Sequence, residues 1–142
     1  MIETARLIIR PPHDGDRAPF AEMSRDPEVM ANLGPLLDRA ASDAALDRMR
    51  AAQASHGFAF WALEQKSDGA FIGLCGLLPV HFTELPADSV EIGWRLRRAS
   101  WGAGLASEAA RAVLGWGFAH GLPAIIAFTA TRNLASQRVM QA

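Results

Sequence analysis

The segment from Arg95 to Ala106 carries the clearest potential for chemistry in this 142-residue chain. Its small residues, Gly102, Ala103 and Gly104 among them, would let backbone N–H groups approach a ligand without obstruction by side chains. A helix that begins directly after them adds unpaired first-turn N–H groups and the positive end of its dipole. We interpret the segment as a phosphate-binding loop, and the alternative is a tight strand-to-helix turn that needs glycine for its geometry alone.

Two better-known phosphate loops do not fit this segment. The nucleoside-triphosphate loop requires a lysine followed by serine or threonine, and the only lysine of the chain, Lys66, lies far away. The dinucleotide fingerprint requires an acidic residue about twenty positions after its glycines, and no acidic residue follows Glu108. The loop therefore belongs to neither of these two classes of phosphate site.

Three further polar residues have plain structural interpretations from the sequence alone. Glu91 lies on the polar face of a strand together with Arg95, and a surface ion pair between them would contribute little stability. Asn133 follows an apolar strand and is suited to cap a final helix, with Ser136 in its first turn. The four histidines show no metal-ligand spacing, so no metal site is predicted.

Periodicity and turn residues predict the elements that position these side chains. The predicted strands cover residues 4–10, 58–64, 70–78, 90–97 and 124–128. The predicted helices begin at Asp14 or Asp16, at Pro27, at Ser42 and at Leu105. A polar loop through Pro86 precedes the fourth strand. Residues 89–128 read as strand, loop, helix and strand, which indicates a βαβ unit with a right-handed crossover.

Length and composition restrict the class of protein. A chain that is 50% hydrophobic and 20% charged fits one globular domain over residues 1–142. The single cysteine, Cys75, excludes an internal disulfide framework and a multi-cysteine metal site. No apolar run is long enough to span a bilayer and no secretory signal is visible, so we expect a cytoplasmic protein without a membrane partner.

The net charge of −1 conceals an asymmetry along the chain. Residues 1–91 carry 8 basic and 14 acidic residues, a net charge of −6, whereas residues 92–142 carry 6 arginines and one acid, a net charge of +5. This favours an anionic ligand at the C-terminal part, and the alternative is that the charges are simply solvated where they fall. A near-neutral domain gives no indication of nucleic-acid binding.

The segment from Trp101 to Ala106 resembles the coenzyme A loop of the GNAT acetyltransferase superfamily, whose pattern is Q/R-x-x-G-x-G/A. Gly104 and Ala106 occupy the fixed positions, and Trp101 stands where Gln or Arg is usual. Because that loop works mainly through its backbone, the substitution weakens the motif more than the contact that it implies.

The wider sequence resembles the branch of the superfamily typified by the RimJ/RimL ribosomal-protein N-acetyltransferases. Segments like those of that branch occur in the same order along nearly the whole chain, at residues 4–11, 91–94, 101–109 and 133–140. The resemblance implies an α+β (mixed α/β) fold, in which helices flank a mostly antiparallel twisted sheet. It also implies that the ligand is wedged where two parallel strands splay apart.

The resemblance implies transfer of acetyl from acetyl-CoA to a primary amine by direct attack, without a covalent enzyme intermediate and without a metal. The acceptor would be a protein N-terminal α-amine or a small-molecule amine. The alternative is a non-catalytic coenzyme A-binding module that senses or regulates. The presence of both Glu91 and Ser136 favours the enzyme over the module.

The resemblance also assigns roles to individual residues. Glu91 would deprotonate the amine through water, and Asn133 would contact the pantetheine arm. In a chain without tyrosine, Ser136 or a bound water would protonate the departing thiolate. Backbone N–H groups would hold the pantetheine and pyrophosphate at Leu96, Arg97, Arg98, Gly102, Ala103, Gly104, Leu105 and Ala106. Further phosphate contacts would come from the arginines at 97, 98, 132 and 138.

The family continues into further strands, whereas this chain stops at Ala142. We therefore expect that the C-terminal strands are missing from this chain and that it is a fragment or receives those strands from a partner. The sequence leaves a homodimer as one option.

Overall fold

A computed structural model describes residues 1–31, 34–79, 90–122 and 125–127 of the chain. Within these ranges the strands are Ile2–Glu3 (β1), Leu7–Arg10 (β2), Phe60–Gln65 (β3), Phe71–Pro79 (β4), Val90–Leu96 (β5) and Ile125–Ala127 (β6). The helices are Arg17–Ser24 (α1), Pro27–Met30 (α2), Arg39–His56 (α3) and Leu105–Ala119 (α4). Short 3-10 turns occupy Asp14–Asp16 and Arg98–Ser100.

The strands form one sheet in the order β1-β2-β3-β4-β5-β6. From β1 to β5 all neighbours are antiparallel, so the predicted α+β fold with a mostly antiparallel sheet is confirmed. The strand β6 lies parallel to β5 over three residue pairs, from Val90 opposite Ile125 to Ile92 opposite Ala127. The course of the chain beyond Ala127, where a splay between these strands is expected, lies outside the described residues. The predicted loop through Pro86 also lies outside them.

Helices cover both faces of this sheet. On one face α4 packs on the central strands and buries Val113 and Ala109 completely against residues such as Ile72 and Leu77. On the other face α1, α2 and α3 contribute Phe20, Val29 and Leu46, respectively, to a second cluster. The first cluster includes Leu96 at the end of β5 and Leu105 at the start of α4, so the core positions both ends of the loop between them.

The N-terminal strand differs from the prediction. Residues 4–10 were expected to form one strand, but pairing begins only at Leu7, and β1 folds back so that Ile2 lies opposite Ile9. Thr4 makes the intervening turn, because its backbone N–H and side-chain oxygen both bond to Leu7. The turn frees the side chains of Thr4 and Arg6 to leave the sheet.

The third helix begins earlier than predicted. Its N-cap is Asp38, whose carboxylate accepts a hydrogen bond of 2.8 Å from the N–H of Ala41. Ser42, the predicted start, is fully buried inside the helix instead. An aspartate three residues before a helical N–H satisfies it as well as a serine does, so both were compatible with the pattern. The predicted end near His56 is confirmed, with Gly57 as C-cap.

The start of α1 rests on a buried ion pair rather than on a cap. The guanidinium of Arg10 donates two hydrogen bonds to Asp16, of 2.8 and 3.1 Å, and a third to Glu64. Asp16 is 2% exposed and its carboxylate makes no cap bond to α1. The pair therefore joins the end of β2 to the beginning of α1.

Candidate active site

The predicted phosphate loop lies between the end of β5 and the start of α4. Gly102 has a φ of +83° and Gly104 a φ of +77°, a left-handed conformation that favours glycine. Gly104 is the N-cap of α4 and offers no side chain to cap it. The glycines therefore agree with both interpretations of the segment. Their positive φ angles form the tight turn between β5 and α4, and their lack of a side chain leaves the backbone N–H groups accessible.

The N–H groups of this loop are available to a ligand. The first intrahelical bond of α4 runs from the N–H of Glu108 to the carbonyl of Gly104. In the described part of the chain, the N–H groups from Gly102 to Ser107 have no acceptor outside the helix. They occupy the positive end of a 15-residue helix, where an anion is favoured.

Hydrogen bonds to β5 and β4 hold the loop in place. The indole Nε1 of Trp101 donates to the carbonyl of Leu96 at 2.8 Å, and the Arg97 side chain donates to Ser100 at 3.0 Å. The backbone N–H of Arg97 donates to the carbonyl of Ile72 at 2.9 Å. This corrects the expectation that the Arg97 N–H is free for a ligand, because it extends the ladder between β4 and β5.

Arg98 does not point freely into a phosphate site as expected. Its guanidinium bonds to Asp26 Oδ2 and to Glu28 Oε1, both at 3.0 Å. The expected phosphate contact by this side chain therefore competes with two carboxylates of the α2 region. The partners lie 72 and 70 positions away along the chain, so no local pattern could have indicated them.

A cavity of about 570 Å³ opens beside these residues, between α1, α2 and the end of β5. Met23, Val29 and Phe71 contribute apolar surface, and Glu22 and Asp26 contribute carboxylates. The Arg97 and Arg98 side chains form the wall towards the loop. The sequence analysis did not identify this cavity, because its lining comes from four separate elements.

Glu91 lies at the other end of β5, opposite Leu78 of β4 and Ile126 of β6. It is partly buried, and burial raises the pKa of its carboxyl above the ordinary value. Burial likewise lowers the pKa of Arg95. Within the described residues the two side chains form no ion pair, so the alternative interpretation of Glu91 as one half of a surface ion pair is not supported.

Phe60 covers the strand between these two charges. A Cβ on Gly93 would lie 2.7 Å from the Phe60 ring, so only glycine accepts the ring in this position. The face of β5 that carries Glu91 and Arg95 thus has an aromatic residue above its midpoint. The aromatic composition of residues 58–61 indicated a strand but not this contact.

The predicted site residues fall into two groups, those that the structure describes and those that it does not. Leu96, Arg97, Arg98, Gly102, Ala103, Gly104, Leu105 and Ala106 lie together at the junction of β5 and α4, and Glu91 lies on the same strand. Asn133 and Ser136, with Arg132 and Arg138, lie outside the described residues.

Other chemistry receives no support in the described part of the chain. No three His, Cys, Asp or Glu side chains are grouped so that they could hold a metal ion. No helix there has the length and hydropathy needed to cross a bilayer. Cys75 is buried, and burial raises the pKa of its thiol far above the usual range, so it is not a thiolate nucleophile.

Comparison with known proteins assigns the family. The model of the acetyltransferase (GNAT) domain matches residues 6–142, which is nearly the whole chain. The chain belongs to the GNAT acetyltransferase family. The expected membership is thereby confirmed.

Two curated proteins are similar in sequence. The uncharacterized protein YkkB of Bacillus subtilis is 34% identical over 116 residues, which cover 81% of this chain and 66% of that protein. The FsC-acetyl coenzyme A-N(2)-transacetylase of Aspergillus fumigatus is 33% identical over 147 aligned positions, which cover 98% of this chain and 62% of that protein. The chain thus spans slightly less than two thirds of the length of these relatives.

Solved structures share the fold. An acetyltransferase of the GNAT family from Bacillus anthracis superposes with a TM-score of 0.83 at 25% identity, over 99% of this chain and 80% of that one. RimL, a ribosomal L7/L12 alpha-N-protein acetyltransferase in complex with coenzyme A, superposes with a TM-score of 0.80 at 12% identity, over 97% and 78%. RimL therefore shares the fold of this chain.

Proposed function

We propose that this chain transfers acetyl from acetyl-CoA to a primary amine by direct attack. The observation that carries the proposal is the run of unpaired N–H groups from Gly102 to Ser107 at the start of α4. In a member of the GNAT family, such a run on the loop that matches the coenzyme A pattern is suited to the pyrophosphate of that cosubstrate.

Coenzyme A would lie along the end of β5. The N–H groups of Gly102, Gly104 and Ala106 would hold its phosphates, and Leu96 would contribute to the pantetheine site. Trp101 fixes the start of the loop, since its indole nitrogen is bonded to the Leu96 carbonyl. The positive φ angles of the two glycines keep this backbone free of side chains on its ligand side.

Glu91 would act as the base. Burial raises the pKa of its carboxyl above the ordinary value, which makes the ionised carboxylate a better proton acceptor. The proton would pass from the amine through a water to the carboxylate. The amine nitrogen then forms its bond to the acetyl carbonyl carbon, and the bond from that carbon to sulfur breaks.

The departing thiolate takes a proton from Ser136, and Asn133 contacts the pantetheine arm, as the family resemblance implies. The chain contains no tyrosine, so a tyrosine acid is excluded. Replacing Ser136 by alanine should therefore lower kcat while leaving KM for acetyl-CoA little changed. Ser55→Ala on the exposed surface of α3 is the matched control. Unchanged turnover in the Ser136 variant would remove that residue from the acid role.

The acceptor is an amine that is partly neutral at physiological pH. About one in ten α-amino groups is neutral at pH 7, against about one in a few thousand lysine side chains. An α-amino group therefore demands less of a carboxylate base. RimL is named for acetylating a ribosomal protein α-amine and the Aspergillus relative for an N(2) position, which supports a peptide N-terminus or a small α-amine as the acceptor.

The proposal is tested by thiol release from acetyl-CoA in the presence of N-terminal peptides and small amines. Release that depends on an amine, with an acetylated product seen by mass spectrometry, is the expected result. Binding of acetyl-CoA without release for any acceptor would instead favour a sensing or regulatory module. A melting temperature that acetyl-CoA does not raise would contradict both functions.

A further inference from the structure

The turn between β1 and β2 reaches the proposed coenzyme A loop from the far end of the sequence. Thr4 and Arg6 lie about one hundred positions before Glu108, which projects from the first turn of α4. We name these three residues the clasp. The family resemblance included residues 4–11 without giving them a function, and the proposed mechanism does not use them.

The clasp saturates the Glu108 carboxylate. Oε2 accepts hydrogen bonds from the Thr4 hydroxyl at 2.5 Å and from the Arg6 backbone N–H at 2.9 Å, and Oε1 accepts from Arg6 Nε at 2.7 Å. Burial alone would raise the pKa of Glu108, but the bonds from Thr4 and Arg6 outweigh it and the pKa lies below the ordinary value. The carboxylate is therefore ionised and paired.

Arg6 also holds the loop itself. Its Nη1 donates to the carbonyl oxygen of Ala103 at 2.9 Å. The Ala103–Gly104 peptide is trans and planar, so its N–H points away from its carbonyl. Fixing the Ala103 carbonyl towards Arg6 consequently fixes the Gly104 N–H towards the opposite side, where the proposed phosphate site lies.

The Arg6 side chain also neutralises the negative charge of Glu108 in the first turn of α4. A carboxylate in the first turn of α4 would repel a phosphate bound to the N–H groups of that turn. The guanidinium cancels this charge while it orients the loop. Its planar fork is suited to both tasks at once, because Nε serves Glu108 and Nη1 serves Ala103.

We propose that the clasp of Thr4, Arg6 and Glu108 positions the loop for the pyrophosphate of coenzyme A, with Arg6 as the principal positioning residue. This inference rests on the proposed function of the loop. It predicts that loss of Arg6 weakens binding of ligands that carry the pyrophosphate and spares ligands that lack it. Thr4 and Glu108 hold Arg6 and do not touch the ligand.

The test compares Arg6→Lys and Arg6→Ala with Arg39→Lys, a control in which another exposed arginine, paired with Asp43 on α3, is replaced. Calorimetry should show coenzyme A binding weakened about tenfold in Arg6→Lys, since one ammonium cannot serve both acceptors. The KM for acetyl-pantetheine, which has no pyrophosphate, should stay within about twofold. The control should change neither quantity.

Amide hydrogen exchange of the ligand-free protein gives a second readout. Exchange at the Glu108 amide, the first of α4 that is hydrogen-bonded to the loop, should be faster in both Arg6 variants and unchanged in the control. Folded Arg6 variants that bind coenzyme A like the wild type, or that lose both ligands equally, would overturn the inference. A wild type that fails to bind coenzyme A would overturn the proposed function and this inference with it, and that outcome is recognised from the wild type alone.

Discussion

At the scale of single residues, Glu91 shows what a pattern can and cannot determine. Strand alternation placed it correctly on β5, and its type made it a candidate base. The sequence left an ion pair with Arg95 as an equal alternative, because residues four apart on a strand lie on one face. The described residues contain no such pair, and burial raises the carboxyl pKa.

Glu91→Gln should lower kcat about a hundredfold at pH 7, since glutamine keeps the shape of the side chain and loses the base. In the wild type the rate should rise with pH as the carboxyl ionises, above the ordinary pKa of glutamate. The variant should lack the part of the rise that belongs to this carboxyl and keep the part that follows deprotonation of the acceptor amine. Glu3→Gln, at an exposed glutamate of β1, is the matched control and should keep the profile. An identical pH profile in the Glu91 variant would exclude it as the base.

The sign of the stability difference between Glu91→Gln and the wild type can also be predicted. A carboxyl whose folded pKa is raised costs stability once it ionises, so stability is lost as pH rises through that pKa. Glu91→Gln should therefore melt at a higher temperature than the wild type at pH 7, and the difference should vanish below the unfolded pKa of glutamate. A lower melting temperature at pH 7 would contradict the burial argument.

At the scale of elements, most helices and strands were predictable because their periodicity and end residues are local. The helix end at Gly57 and the strands β3, β4 and β5 follow from such signals. The predicted boundaries are wrong where the local sequence is compatible with two different structures. Asp38 and Ser42 were both competent to start α3, and the turn at Thr4 was hidden inside an apolar run.

The junction of β2 and α1 depends on the buried pair of Arg10 and Asp16. Asp16→Asn removes the buried one of the two carboxylates that pair with Arg10 and leaves Glu64 as the other, and we expect a loss of about 3 kcal/mol in the free energy of unfolding by urea. Asp14→Asn, at an exposed carboxylate that pairs with Arg17 and Arg50, should cost much less. Equal losses in the two variants would contradict the account of this junction.

The pH dependence of Asp16→Asn follows from the same pair. Burial alone would raise the pKa of Asp16, but the hydrogen bonds from Arg10 and His13 outweigh it and the pKa is lowered. The stability that the pair contributes is present above the unfolded pKa and is lost as pH falls through the folded one. The difference between wild type and variant should therefore shrink on acidification below about pH 4.

Alanine substitutions at two glycines of α4 distinguish the effect of helix propensity on stability from the effect of packing. Gly115 is exposed and a Cβ there would meet nothing within 4 Å, so Gly115→Ala should stabilise the fold by about 0.5–1 kcal/mol. A Cβ on Gly117 would lie 2.7 Å from Cδ1 of Ile125 on β6. Gly117→Ala should consequently destabilise the protein by about 1 kcal/mol. The comparison is made by urea unfolding, and equal gains would mean that α4 does not press on β6.

At the scale of the whole molecule, the acidic N-terminal portion and the basic C-terminal portion of the sequence do not form separate acidic and basic surfaces, because ion pairs join them. Glu108, the only acid of the C-terminal portion, is paired with Arg6 from the N-terminal portion. Arg98, from the basic portion, is paired with Asp26 and Glu28 of the acidic one. Charge counts favour an anionic ligand at the C-terminal segment, but only the fold shows which arginines are already paired with carboxylates.

The position of the proposed coenzyme A loop between a strand and a helix could be predicted, because its small residues and the two flanking elements are adjacent in sequence. The cavity beside it and the clasp could not, because they join residues from opposite ends of the chain. The Arg6 and Glu108 side chains are a clear case, since neither lies near the other until β1 folds back along β2.

The most direct test of the account is to map coenzyme A binding on the backbone amides of the protein by nuclear magnetic resonance. If the loop binds the phosphates of coenzyme A, its addition should shift the amide resonances from Gly102 to Ser107 most strongly, with smaller shifts at the end of β5. Shifts confined to the cavity residues Glu22, Met23 and Asp26, with the loop amides unmoved, would contradict it.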